Sequence, residues 1–195
     1  VAAIVNHKAN AAWNVEQVRF GWFDFIDDIE VSSALLDAVV AFGKRHGMKQ
    51  IVGPLGFTDF DPEGMLVEGF DRLGTMALIY NHPYYPEHMK KHGYYKETGW
   101  LEYRITIPEM VSERHKRIAE AVMDRYGLTI KKKTRSQIKK ERYGQKLFKL
   151  INETYCVLYG YSLLSEKQID QYVGLYLSLI DTEMLTFVEN QEGEL

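Results

Sequence analysis

The chain has 195 residues, 46% of them hydrophobic and 26% charged, with a formal net charge of −3. This is ordinary globular usage and excludes a disordered tail, a collagen-like fibre and a disulfide scaffold. The single cysteine, Cys156, forms no internal bridge, no signal-peptide pattern opens the chain, and no run approaches the roughly 20 apolar residues of a membrane helix, so a cytoplasmic chain without membrane partners is expected. Residue 1 is Val rather than Met, and residues 1–5 read as a strand already under way. Residues 190–195 read as a turn leading into a further strand, the pattern of a piece of a longer protein.

Residues 15–26 (VEQVRFGWFDFI) carry aromatics on both faces and predict a central strand. A helix follows, with Val31, Ala34, Leu35, Ala38, Val39 and Phe42 on one stripe, Asp27 and Glu30 as a capping-box-like pair, and Gly47 just past its end. Residues 50–53 predict a strand parallel to the first, completing a βαβ unit. Residues 54–74 form a long turn-rich segment of the kind that lines sites. A short helix is predicted over 86–91, with Pro86 in its first position and Gly93 after its end. Residues 94–107 alternate as a long strand or as a hairpin pair bent at Gly99.

The second half predicts a polar helix over 108–127, a basic strand over 128–134 and a helix over 136–158 with Leu147, Ile151, Tyr155 and Leu158 on one stripe. A further helix is capped by Ser165 and Gln168, and a strand closes at 183–189. Charge is unevenly spread. Residues 131–149 hold nine Lys or Arg against one Glu, and residues 150–195 hold eight acids against Lys167. No nucleic-acid motif or aromatic interleaving accompanies the basic block, so a solvated face, not nucleic-acid binding, is expected.

Among candidate site residues, Asp24 interrupts an aromatic run, and the segment YNHPYYPEH places Tyr80, Asn81, Tyr84 and Tyr85 on a proline-set backbone just before a helix. His88 and His92 stand at i, i+4, but no cysteine pair or HExxH pattern supplies further ligands, so surface histidines are expected and no metal. Cys156 lies in a Tyr- and Leu-rich helix, where a buried, apolar thiol is expected.

The order of elements, with ALLDAVVAFGKRHGM (residues 34–48), KQIVG and a short helix ending in a Gly-aromatic pair (HMKKHGYY, residues 88–95), resembles the GNAT acyltransferase superfamily. GPLGFTDFDPEGMLVEGFD and FKLINETYCVLYGYSLLSEKQIDQYVGLYLSLID are similar to stretches of tandem GNAT-like proteins. The resemblance implies an α/β fold with a central, twisted, mostly antiparallel sheet flanked by helices. Residues 1–107 are then the C-terminal part of one domain, 108–127 a linker helix and 128–195 the N-terminal part of the next. It also implies an N-acyltransferase that moves an acyl group from acetyl-CoA or another acyl-CoA to a small-molecule or peptide amine, and a possible homodimer.

By the same resemblance, Phe23, Phe25, Ser32 and Ser33 hold the cofactor, Asp24 is the base, Tyr84 or Tyr85 is the acid, and Tyr80 and Asn81 meet the acceptor. Two positions depart from the family. The pyrophosphate loop carries Asp27, Glu30 and Ser32 where the family has Arg or Gln and two small residues, so an anion site has become acidic. Met89 also stands where many members have the tyrosine acid. The alternative reading is a non-catalytic binding or assembly module on a degenerate GNAT fold.

Overall fold

The computed structural model describes residues 1–75 and 78–195. Among the described residues, seven helices and small mixed sheets make an α/β protein, divided into two compact units. One comprises Val1–Gly99 with Val157–Leu163, the other Trp100–Cys156 with Leu164–Leu195.

The first unit is built on a three-stranded sheet, β1 (Ala2–Ile4), β2 (Gln17–Gly21) and β3 (Gln50–Val52), in the order β1-β2-β3. β1 runs antiparallel and β3 parallel to β2, so the expected βαβ unit is present and β2 is central. The chain leaves β2 at Trp22, which has a positive φ of 45°. Val18 and Phe20 enter the core on one face of β2, while Gln17 and Arg19 point to the other, the period-two alternation of a strand.

Between β1 and β2 lies α1 (His7–Trp13), which the sequence reading did not anticipate. Its cap, Asn6, accepts from the Ala9 N–H. α2 (Ile29–Arg45) is capped by Asp28, whose carboxylate accepts from the Glu30 N–H. The expected cap, Asp27, is released for another partner. The buried face of α2 is Ser32, Leu36, Val39 and Gly43, an i, i+4, i+7, i+11 stripe rotated from the predicted one, and Ala34 and Ala38 are exposed. Gly43 lets the helix sit close to the sheet, since a Cβ there would lie 2.6 Å from Val18 Cγ1. The core joins Val18, Phe20, Phe23, Phe25, Leu36, Val39 and Tyr85.

Residues 54–74 contain no helix or strand. α3 (Tyr84–Lys91) starts two residues before Pro86. Residues 94–107 form no strand, contrary to their alternation, and Leu101, Tyr103, Ile105 and Ile107 are exposed. A strand needs a hydrogen-bonded neighbour as well as a pattern, and among the described residues no strand pairs with this segment.

The second unit contains α4 (Glu113–Tyr126), β4 (Thr129–Lys131), α5 (Arg135–Lys140), α6 (Tyr143–Tyr155), α7 (Glu166–Leu179) and β5 (Phe187–Glu189), with β4 and β5 antiparallel. α4 begins five residues after Pro108, at a Ser112 cap. The single helix expected over 136–158 is two, broken at Arg142 with φ 57°. α7 has the predicted Ser165–Gln168 capping box, and α5 has another from Thr134 and Gln137. Gly144 lets α6 approach α7, where a Cβ would lie 2.7 Å from Val173 Cγ1. Ile138, Tyr143, Leu177 and Phe187 form this unit's core.

Four members of the basic block are bound within their own unit. Lys132 donates to the Glu183 and Leu185 carbonyls, Arg135 to Ile180 and Lys146 to Gly193, while Lys133 pairs with Glu141. Cys156 is exposed just past the end of α6, not buried as its neighbours suggested.

Candidate functional site

The β2–α2 loop and α3 together build the site. Trp22, Phe23, Asp24, Tyr80, Asn81 and Tyr85 line one cavity of about 320 Å³, with Pro54, Pro62, Met65 and Ile79 completing an apolar wall. That volume sits at the lower end for small-molecule sites. Asp24 is the one carboxylate among the described residues of the lining. Its Oδ1 accepts from the Tyr85 hydroxyl, and its Oδ2 has no hydrogen-bond partner among the described residues. Burial, followed by the bond to Asp24, pushes the Tyr85 phenol up to about 12. Tyr85 thus keeps its proton and holds Asp24 still, leaving one carboxylate oxygen for a ligand.

Five of the nine predicted site residues therefore meet at one cavity: Phe23, Asp24, Tyr80, Asn81 and Tyr85. Phe23 is a buried wall, edge-on to Phe20 with centroids 5.3 Å apart. Tyr80 is exposed at the mouth. Asn81 is buried and its amide is already employed. Oδ1 accepts from the Leu66 N–H at 2.7 Å, while Nδ2 donates to the Leu66 and His82 carbonyls at 3.1 Å each. It staples residue 66 to residue 82 and shapes the wall without offering a free polar group.

The other four lie outside the cavity. Tyr84 donates to the Phe25 carbonyl at 2.6 Å, and Tyr85 Oη accepts from the Phe25 N–H at 3.3 Å. Both backbone groups of Phe25, one of the residues expected to hold the cofactor, are bound by phenols of α3. The Phe25 ring packs among Tyr84, Tyr85 and His88. Ser32 is fully buried, its hydroxyl turned inward. Ser33 lies 3.5 Å from Asp37 on its own helix.

The N-terminus of α2 does not fit a pyrophosphate. Asp28 caps it and Glu30 occupies its first turn, carboxylates that stabilise the helix end and repel an anion.

Sequence reasoning missed His88. It is 3% exposed, not a surface residue. Its Nε2 lies 2.9 Å from Asp27 Oδ1 and its Nδ1 2.9 Å from Ser32 Oγ. The signal was the spacing of Tyr85, His88 and His92, which share one face of α3. Serine, histidine and aspartate are in sequence here, but the zero exposure of Ser32 denies it any substrate. Among the described residues no group of three or more His, Cys, Asp or Glu is placed to hold a metal ion. No helix there is long and apolar enough to cross a membrane.

On the opposite face of β2, a second cavity of about 150 Å³ is lined by Arg19, Trp13, Glu97 and Tyr159. Arg19 is 5% exposed and donates to the Gly56 and Gly160 carbonyls. Burial lowers its pKa, against the nearby Asp59 and Glu63. Burial likewise pushes the Asp59 carboxyl up to about 6 and the Glu63 carboxyl up to about 7.

No protein-family model and no solved structure matches the chain. It is 36% identical to Protein YghO of Escherichia coli over 78 residues, which are 40% of this chain and 20% of that protein. It is 24% identical to a bacterial ceramide synthase of Caulobacter vibrioides over 178 residues, which are 88% of this chain and 44% of that protein. The chain spans less than half the length of either curated relative.

Proposed function

We propose that the first unit carries the acceptor pocket of a GNAT-type N-acyltransferase, taking an amine that is acylated by an acyl thioester. The observation that carries this reading is Asp24, a single carboxylate with one free oxygen in an otherwise largely apolar cavity. Ceramide is an amide of a fatty acid with a long-chain amino alcohol, so the name of the Caulobacter relative supports an amine with an aliphatic body. Such an amine would place its nitrogen at Asp24 Oδ2 and its chain against Pro54, Pro62, Met65 and Ile79.

In the reaction, the neutral amine nitrogen attacks the thioester carbonyl carbon. The C–S bond breaks and the thiolate departs, while the proton shed by nitrogen passes to Asp24. The acidic α2 N-terminus is not the place where the acyl donor is held. Titration calorimetry with dodecylamine tests the acceptor pocket. Asp24→Asn is expected to weaken binding at least tenfold, and equal affinity would sink the proposal.

A second reading, a non-catalytic module, is favoured by one observation. The Phe25 N–H and carbonyl are both bound within the unit. Unchanged thermal stability of the protein on adding acyl-CoA, together with no turnover, would select it.

A further inference from the structure

We propose that His88 is a positioning residue for this pocket, and that it acts through a directional hydrogen-bond chain, His92–Ser32–His88–Asp27, able to store one proton. The inference rests on the reading of the pocket around Asp24, while the chain itself stands on geometry alone.

Every link is short. His92 Nε2 lies 2.8 Å from Ser32 Oγ, Ser32 Oγ 2.9 Å from His88 Nδ1, and His88 Nε2 2.9 Å from Asp27 Oδ1. The proton inventory then fixes the direction. An ionised Asp27 only accepts, so His88 carries its hydrogen on Nε2. In the neutral ring Nδ1 accepts, and its donor is the Ser32 hydroxyl. That hydroxyl has one hydrogen, so His92 donates to Ser32.

A second arrangement is open to the same atoms. Ser32 Oγ also lies 3.1 Å from the Ile29 carbonyl. If His88 takes a proton on Nδ1, it donates to Ser32, whose hydroxyl rotates to Ile29. Ser32 then accepts from both imidazoles, and every partner stays satisfied. One proton enters, one hydroxyl turns and no heavy atom moves. The groups facing His88 are Asp27 and the Phe25 ring from the loop, Ser32 from α2, and Tyr84 and His92 from α3. Asp27 is the one acid among them, and in the protonated state its bond to His88 becomes a charged pair.

Asp24 feels this because α3 holds its loop at successive points. Tyr85 takes Asp24, Tyr84 and Tyr85 take Phe25, and His88 takes Asp27. Tightening the Asp27 attachment steadies the segment that carries the pocket's carboxylate.

Imidazole and backbone ¹⁵N spectra of the full chain, followed from pH 8 to pH 5, test this. At pH 8 His88 is expected to carry its proton on Nε2. On acidification the Asp24 and Phe25 amide signals should move with the same midpoint as the His88 ring. Asp27 is largely exposed, so Asp27→Asn should fold normally while moving the midpoint of all three signals together. A proton on Nδ1 at pH 8, an unchanged His88 titration in Asp27→Asn, or Asp24 and Phe25 amides blind to His88 would each overturn the proposal. Dodecylamine binding is not part of this readout, so failure of the pocket reading and failure of the chain are told apart.

Discussion

One phenol oxygen does two jobs at the pocket. Tyr85 donates to Asp24 and accepts from the Phe25 N–H, so Tyr85→Phe orphans a buried backbone donor and frees the carboxylate at once. We expect a loss of about 1–2 kcal/mol in chemical denaturation, with the cavity otherwise intact. On the other face of β2, Asp59 and Glu63 have their carboxyls raised to about 6 and about 7, chiefly by burial. The folded state therefore binds more protons than the unfolded chain across that range. The stability these groups contribute is fully present below their ordinary values near pH 4 and is lost as pH rises through 6 and 7. Both are half-exposed, so solvent screening holds the effect to the order of 1 kcal/mol. Glu63→Gln should flatten the profile of melting temperature between pH 4 and pH 8. A variant profile parallel to the wild type would count against this account.

At the scale of elements, two close approaches depend on glycine. Gly43→Ala drives a methyl into Val18, and Gly144→Ala drives one into Val173. Each should cost about 1–3 kcal/mol by overpacking, measurable as a lower urea midpoint with unchanged slope. The local signals were the legible ones. The Ser165–Gln168 cap and the glycines after α2 and α3 rest on contacts within a few residues, and the βαβ unit on elements that follow one another in the chain. What could not be read depended on distant partners. Asp27 looked like a helix cap, yet His88, 61 residues away, takes it and Asp28 caps instead. Residues 94–107 have the side-chain period of a strand, but alternation says nothing about where a neighbouring strand lies. The break at Arg142 puts a non-glycine residue in the left-handed region, with no turn residue to announce it. For the site, sequence brought out Asp24, Tyr84 and Tyr85, but it could not show that Tyr84 and Tyr85 bind the backbone of Phe25.

Over the whole molecule, exposed apolar side chains concentrate in residues 100–111, where Leu101, Tyr103, Ile105, Ile107 and Met110 all face solvent. This segment forms no helix or strand and contains Arg104. Segments with few buried contacts open most easily. Brief trypsin treatment should therefore cut after Arg104 before it cuts within α2 or α6. First cleavage inside either helix would contradict this arrangement.

The first unit is closed by residues far along the chain. Asn6 donates to Ser162, Trp13 to the Tyr161 carbonyl and Arg19 to the Gly160 carbonyl, across separations of 141 to 156 residues. During synthesis the N-terminal sheet consequently waits for residues 157–163 to leave the ribosome. At about 5–20 residues per second this leaves the Arg19 face of β2 uncovered for several seconds after residue 99 emerges. Sheet and helix can form early, but the last side of that unit is sealed only after residues 100–156 of the other have been made.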